Sequence, residues 1–586
     1  MDVLYALLGV DNHRFNRIVL EKTFTESLDF VLTTSNGHIF SFDDIKLNRF
    51  CINILSKINY NIKSLILESA SMERILHAAD YPNLTELKIF DYNNQLFSRY
   101  FTGKKRFSID SNIEFGKFVY AVQYLTISIF YSVESPFRHI FQRQTADLTI
   151  VNNSDFDILL LKQYPEDMYE YILKFFENLK LLSVIGLFPR LSLRNLPMTT
   201  CSSSTIYKLC IKVTCFEDCL ALLDGRLKEL TTFIVDIGSI DDDLLIVYNM
   251  DNLPNLKCFS LKCYCLTNEY DTKILPLLRR MPNLEELSLD IIDEYRTTLI
   301  DGTQINSEIL VLMPRLYKFT FYINTETEPN NLAHHLSSDD IKQTWIKLGY
   351  QQVCCILNYF TERVTCHAFS LPPMFDHMEY IGNTLPSIVF SSVRHLAVHD
   401  IVPFQHEFFM RIARFFPLIK QLRVINFEPQ TLNELNSQND QLYSIAEYPY
   451  LISLTLSNAH IDYVEQFLNE TKTRLPRLTK LHVDYNQLTI VTENFTRDNA
   501  SNTDLQGETI FPVVSNTEDF SKIFILIVFI ANGKKDMPLI QSETLPSIWN
   551  VALSSVIDTS DFIFIVRKTA KNGDIFTYGV EFEDVF

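Results

Sequence analysis

The sequence predicts an α/β chain built as a stacked repeat, a horseshoe-shaped solenoid in which short strands alternate with helices. Three observations lead there. A phrase of three apolar residues recurs along most of the 586 residues. Its spacing is nearly regular. Between successive phrases lie apolar stripes of helical period, and no single strand–helix unit could bury both of its apolar faces alone.

The phrase is a proline followed by aliphatic or aromatic residues at the second, fifth and seventh positions after it. It occurs at Pro82 with Leu84, Leu87 and Ile89, and at Pro254 with Leu256, Phe259 and Leu261. It returns at Pro282, Pro314, Pro417, Pro449 and Pro476. The triplet also occurs without proline at Ile62, Thr145, Leu179, Ile206, Leu230 and Val393, and at Val122. First triplet residues at 206, 230, 256, 284 and 316 are separated by 24, 26, 28 and 32 residues. The last two apolar positions sit two apart, so on a strand they share one face. The proline is expected to open the strand, where a missing N–H is tolerated. Phe408, Ile412, Phe415 and Phe416 mark one connecting helix, and Ile461, Val464, Phe467 and Leu468 another.

This pattern resembles leucine-rich repeats, whose period is about 20–29 residues. Leu478, Leu481, Val483, Asn486 and Leu488 match the repeat motif at every defined position, while Ala459 and Tyr264 depart from its asparagine or cysteine. The resemblance implies a solenoid over residues 21–490.

The ends read differently. Asp2, Leu4, Ala6, Arg14 and Phe15 resemble the second half of an F-box, here confined to residues 1–20; a capping helix over the first repeat is the other reading. The resemblance implies that Val3, Leu4, Leu7, Leu8, Arg14 and Phe15 touch a Skp-type linker of a cullin ubiquitin ligase. Residues 324–361 interrupt the repeat, with a loop from Asn324 and a helix capped by Ser338 that carries Ile341, Trp345 and Leu348. Residues 491–521 form a polar linker. Residues 522–586 form a β-rich tail of no recognised type, with strands at Phe562–Val566 and Ile575–Val580 around an Asn572-Gly573 turn.

Composition narrows the function. A net charge of −19 opposes nucleic-acid binding, which needs a basic face. The start, MDVLYALLGVDNHRF, lacks a basic n-region and a cleavage site. No apolar run reaches the ~20 residues that span a bilayer. A cytoplasmic or nuclear monomer is expected, away from membranes, with its 11 cysteines reduced. The common phosphate-loop, dinucleotide, zinc-hydrolase and nucleophile-elbow motifs are absent, and Cys258, Cys263 and Cys265 have no partner histidine. No cofactor, no metal and no catalysis are therefore expected.

Function is expected on the concave face, where strand positions between core residues point. These are Lys88, Lys262, Glu286, Ser288, Lys318, Thr320, His395, His399, Arg423, Thr455, Lys480 and His482. Their mixed charge and hydroxyls suit a protein target. Together with the F-box resemblance they imply a substrate-recognition adaptor of a ubiquitin ligase. The alternative is a protein-interaction scaffold with no ubiquitin role.

Overall fold

Most repeats open with a turn. Met281, Pro282, Asn283 and Leu284 form one, closed by Leu284 N–H donating to the Met281 carbonyl at 3.2 Å. The proline takes the second turn position, which its fixed φ suits. The strand starts only at Glu286. The proline thus does not open the strand, as the sequence suggested; it sets the turn that precedes it.

These features come from a computed structural model that describes residues 21–33, 39–90, 140–152, 176–186, 190–193, 201–240, 251–331, 336–350, 352–430 and 445–493. It also describes residues 169, 172 and 173 and the paired strands Phe564–Thr569 and Ile575–Val580. The F-box-like segment, the Val122 triplet and almost all of the polar linker and tail lie outside the described residues.

Twelve strands form one sheet. They are β1 (Ser27–Asp29), β2 (Ser64–Glu68), β3 (Glu86–Phe90), β4 (Asp147–Asn152), β5 (Leu181–Gly186), β6 (Lys208–Cys215), β7 (Thr232–Ser239), β8 (Cys258–Thr267), β9 (Glu286–Arg296), β10 (Lys318–Thr327), β11 (Val353–Tyr359) and β12 (Val364–Ser370). They run in sequence order except that β12 lies beside β10 and β11 is outermost. A second sheet holds β13 (His377–Ile381), β14 (His395–His399), β15 (Gln421–Asn426), β16 (Ser453–Ala459) and β17 (Lys480–His482), again in sequence order.

One hydrogen-bond device holds both stacks in register. A single carbonyl accepts two successive N–H groups of the next repeat. The Lys63 carbonyl takes Thr85 and Glu86, both at 2.9 Å, and the Lys420 carbonyl takes Ile452 and Ser453 at 2.8 and 3.0 Å. A side-chain amide in each of several turns adds a second tie. Asn83 Nδ2 donates to the Tyr60 carbonyl at 2.7 Å, Asn178 to Arg143 at 2.6 Å and Asn283 to Pro254 at 3.0 Å. Asn486, by contrast, is exposed in the first turn of a helix, Tyr485–Val491, and takes no part in this ladder.

The chain divides into two compact units. The first comprises the described residues up to Ser288 with Ile309–Phe319 and those within Ile565–Gly579. Its core is a cross-strand row: Leu65, Leu87, Leu148, Leu182, Leu209, Phe233, Phe259 and Leu287, none more than 2% exposed. The row exists because parallel pairing from β1 to β8 is in register. Burying each such side chain contributes ~1.5–3 kcal/mol. Thr25, Leu28 and Phe30 head the stack as a further buried triplet.

The second unit comprises Leu289–Glu308 and the described residues from Thr320 to Glu493. Its parallel strands β13 to β17 bury Met378, Leu396, Leu422, Leu454 and Leu481. Helices α1 (His406–Phe415) and α2 (Ile461–Leu468) cover that row with aromatics. Phe404 stacks on Phe408 at 4.2 Å, and Phe409 meets Phe467 edge-on at 4.9 Å. The expected loop from Asn324 is instead strand: Asn324, Thr325 and Thr327 lie buried on β10, which pairs antiparallel with β12. The helix Ser338–Ile346 does bury Ile341 and Trp345, but its cap is Ser337, whose hydroxyl accepts from Asp340 N–H at 3.2 Å.

Candidate functional site

Strand alternation turns the residues between core positions onto the opposite face of each sheet. On β14 to β17 two cross-strand rows result. His395, Gln421, Ser453 and Lys480 are paired across the strands, followed by Ala397, Arg423, Thr455 and His482. The five residues expected here on sequence grounds, His395, Arg423, Thr455, Lys480 and His482, are thus assembled on one face. His377 extends the first row on β13. Its Nε2 lies 2.8 Å from Glu379 Oε1, and its ring centroid is 5.8 Å from that of His395.

His377 was missed because β13 is irregular. Phe375, Met378 and Ile381 are buried, but one residue too many separates the last two. The register shifts between Met378 and Ile381, and Tyr380 takes a φ of +57°. A bulge of this kind breaks the triplet spacing while keeping the strand in the sheet.

The bulge feeds a cation–aromatic cluster at the ends of β13 and β14. The Arg363 guanidinium lies 4.3 Å from the Tyr380 ring centroid and 5.4 Å from that of Phe360. It donates to Glu326 at 3.3 Å and to His399 Nδ1 at 3.1 Å. Phe360 stacks on His399 at 4.6 Å. Burial, then the Arg363 charge, depress the His399 pKa against the pull of Asp400. His399 is therefore a neutral acceptor built into this cluster, apart from the two rows.

Several outward cations of the first sheet are paired with carboxylates. Glu286 takes Lys318 Nζ and the Tyr317 hydroxyl, each at 2.9 Å, and these bonds, Lys318 first, lower its pKa. Asp236 takes Arg190 at 3.0 Å and Lys212 at 3.5 Å. Lys88 and Lys262 lie 4.6 Å from the Phe90 and Tyr264 ring centroids. Lys88 on β3 and Lys262 on β8 are five strands apart, about 24 Å, so they do not form one site. Ser288 and Thr320 are half-buried on their strands.

Several thiols are buried and placed for packing, whereas Cys265 is exposed. Burial pushes Cys263 and Cys366 up to about 12, which suppresses the thiolate that would react or bind metal. Cys215 ends β6 and caps the helix Phe216–Leu222 rather than lying on it, and Cys219 lies within that helix. Among the described residues no group of three or more His, Cys, Asp or Glu is arranged to hold a metal. No described helix is long and apolar enough to cross a membrane.

No protein-family model matches the chain, and neither does any curated protein. The rows on β13 to β17 are therefore read on their own chemistry, which is that of a broad, polar, rigidly spaced surface.

Proposed function

We propose that the chain is a leucine-rich-repeat-type solenoid that binds a protein on its strand face and catalyses no reaction. The observation that carries this reading is the pair of cross-strand rows on β14 to β17. Their side chains are spaced by the ladder itself, about 4.8 Å between strands, and so form a preorganised surface. The repeated bifurcated acceptor and the buried triplets support the solenoid. Rigid strands with varied outward residues suit recognition of one extended partner.

The use we favour for such a scaffold is delivery of a target to a cullin ubiquitin ligase. The F-box-like residues Val3, Leu4, Leu7, Leu8, Arg14 and Phe15 support it by resemblance alone. A cytoplasmic or nuclear setting follows from that use. Affinity purification of the tagged full chain, followed by mass spectrometry, tests both parts. The adaptor reading expects a Skp-type linker and a cullin beside the target. A reproducible target without either leaves a scaffold outside ubiquitination. No retained protein at all overturns the scaffold.

A further inference from the structure

We propose that the outward face of β14 to β17 takes an acidic polypeptide segment of its partner. This rests on the scaffold reading and names the chemistry of what the scaffold holds.

The chain as a whole carries −19. The two rows nonetheless present Arg423 and Lys480, both exposed. Neither has an ion-pair partner among the described residues. On the first sheet Lys318 and Lys212 are held by Glu286 and Asp236, and Lys88 and Lys208, which carry no ion pair among the described residues, share their face with the carboxylates Glu86 and Asp147. On β13 to β17 the outward carboxylate is Glu379, and His377 occupies it at 2.8 Å. An acidic protein has ample carboxylates with which to neutralise a surface cation. Two cations on one face with no carboxylate partner among the described residues mark a surface complementary to negative charge.

Geometry sets the class of anion. Arg423 and Lys480 are two strands and two residues apart, about 12 Å, with Ser453 and Thr455 between them. Side chains that leave the sheet from backbone positions that far apart are matched one for one by carboxylates four residues apart on an extended segment, at about 13 Å. The hydroxyls of Ser453 and Thr455 can donate to the backbone carbonyls of such a segment. A nucleic acid is disfavoured, because its affinity rests on neutralising many phosphates and this face supplies two cations on a strongly acidic chain.

The test is fluorescence anisotropy on the full chain at low salt. The probe is a labelled peptide of about ten residues alternating Glu and Ser, compared with its Gln–Ser counterpart and a single-stranded oligonucleotide of similar length. The Glu peptide is expected to bind at least about tenfold more tightly than the Gln peptide, and R423E/K480E to abolish that difference. R423Q/K480Q should reduce it, and K88E/K262E should change it less than about twofold. A thermal melt matching the parent shows that each variant is folded. Equal binding of the Glu and Gln peptides overturns the proposal, as does indifference to R423E/K480E or a preference for the oligonucleotide. If the captured partner is retained equally by the parent and by folded R423E/K480E, the scaffold stands and the acidic assignment fails.

Discussion

Leu287 and Ser288 are neighbours on β9 that face opposite ways. Leu287 is 1% exposed in the core row, whereas Ser288 is half-buried on the other face. Leu287→Ala should cost ~2–5 kcal/mol as a core truncation. Ser288→Ala should cost less than ~0.5 kcal/mol. Urea denaturation of the two variants checks the strand phase, and equal losses would refute it. The turn amides make a subtler case. Asn283 bonds the preceding turn at 3.0 Å, so Asn283→Ala should cost ~0.5–1.5 kcal/mol in the same assay. The apolar triplets were legible in the sequence because strand alternation writes burial directly into spacing. The amides were not, although Asn follows Pro at Pro82, Pro254 and Pro282. A polar residue at a turn has several uses, and only the neighbouring repeat shows that this one reaches across.

Elements were legible where they were regular. The stripes on α1 and α2 were read as helices and are helices, with Phe408, Ile412, Val464 and Phe467 buried. The stretch at β10 to β12 misled, since Asn324, Thr325 and Thr327 look like loop residues and become buried strand. Their burial depends on antiparallel partners that lie some forty residues onward and leave no local period. His367 on β12 belongs to that polar strip. Its Nδ1 lies 3.1 Å from the buried Tyr322 hydroxyl, and burial pushes its pKa from 6.5 down to about 3. Between those values the unfolded chain binds a proton that the folded chain refuses. Stability should therefore be full above pH 6.5 and fall by ~1.4 kcal/mol per pH unit as the pH drops toward 3. Denaturant midpoints measured across that window should fall less steeply in His367→Phe. An unchanged slope would show that His367 is not the group responsible.

At the scale of the molecule, two parallel stacks use the same turn, the same bifurcated acceptor and the same triplet, although no family model matches the chain. That agreement among unrelated stretches of sequence is the physical basis for reading a repeat. The sequence treated outward positions along all the strands alike, as one concave binding face. The balance of charge separates the two sheets, because the first sets its outward lysines among carboxylates such as Glu86, Asp147, Asp236 and Glu286, and the second exposes Arg423 and Lys480 with Glu379 as the carboxylate on its strands. Spacing alone cannot reveal such pairing, since Glu286 and Lys318 lie 32 residues apart in the chain.

The central claim is that the strand face of the repeats, rather than the helical side, binds the partner. Quantitative affinity purification of folded face variants tests it most directly. S453R/T455R places bulk on the outward rows of β16, and E407K/R414E alters exposed positions of α1. The account predicts that the first variant loses the partners captured by the parent chain by at least about tenfold, as steric blocking of a hot spot does, while the second retains them. Retention by S453R/T455R together with loss by E407K/R414E would contradict it.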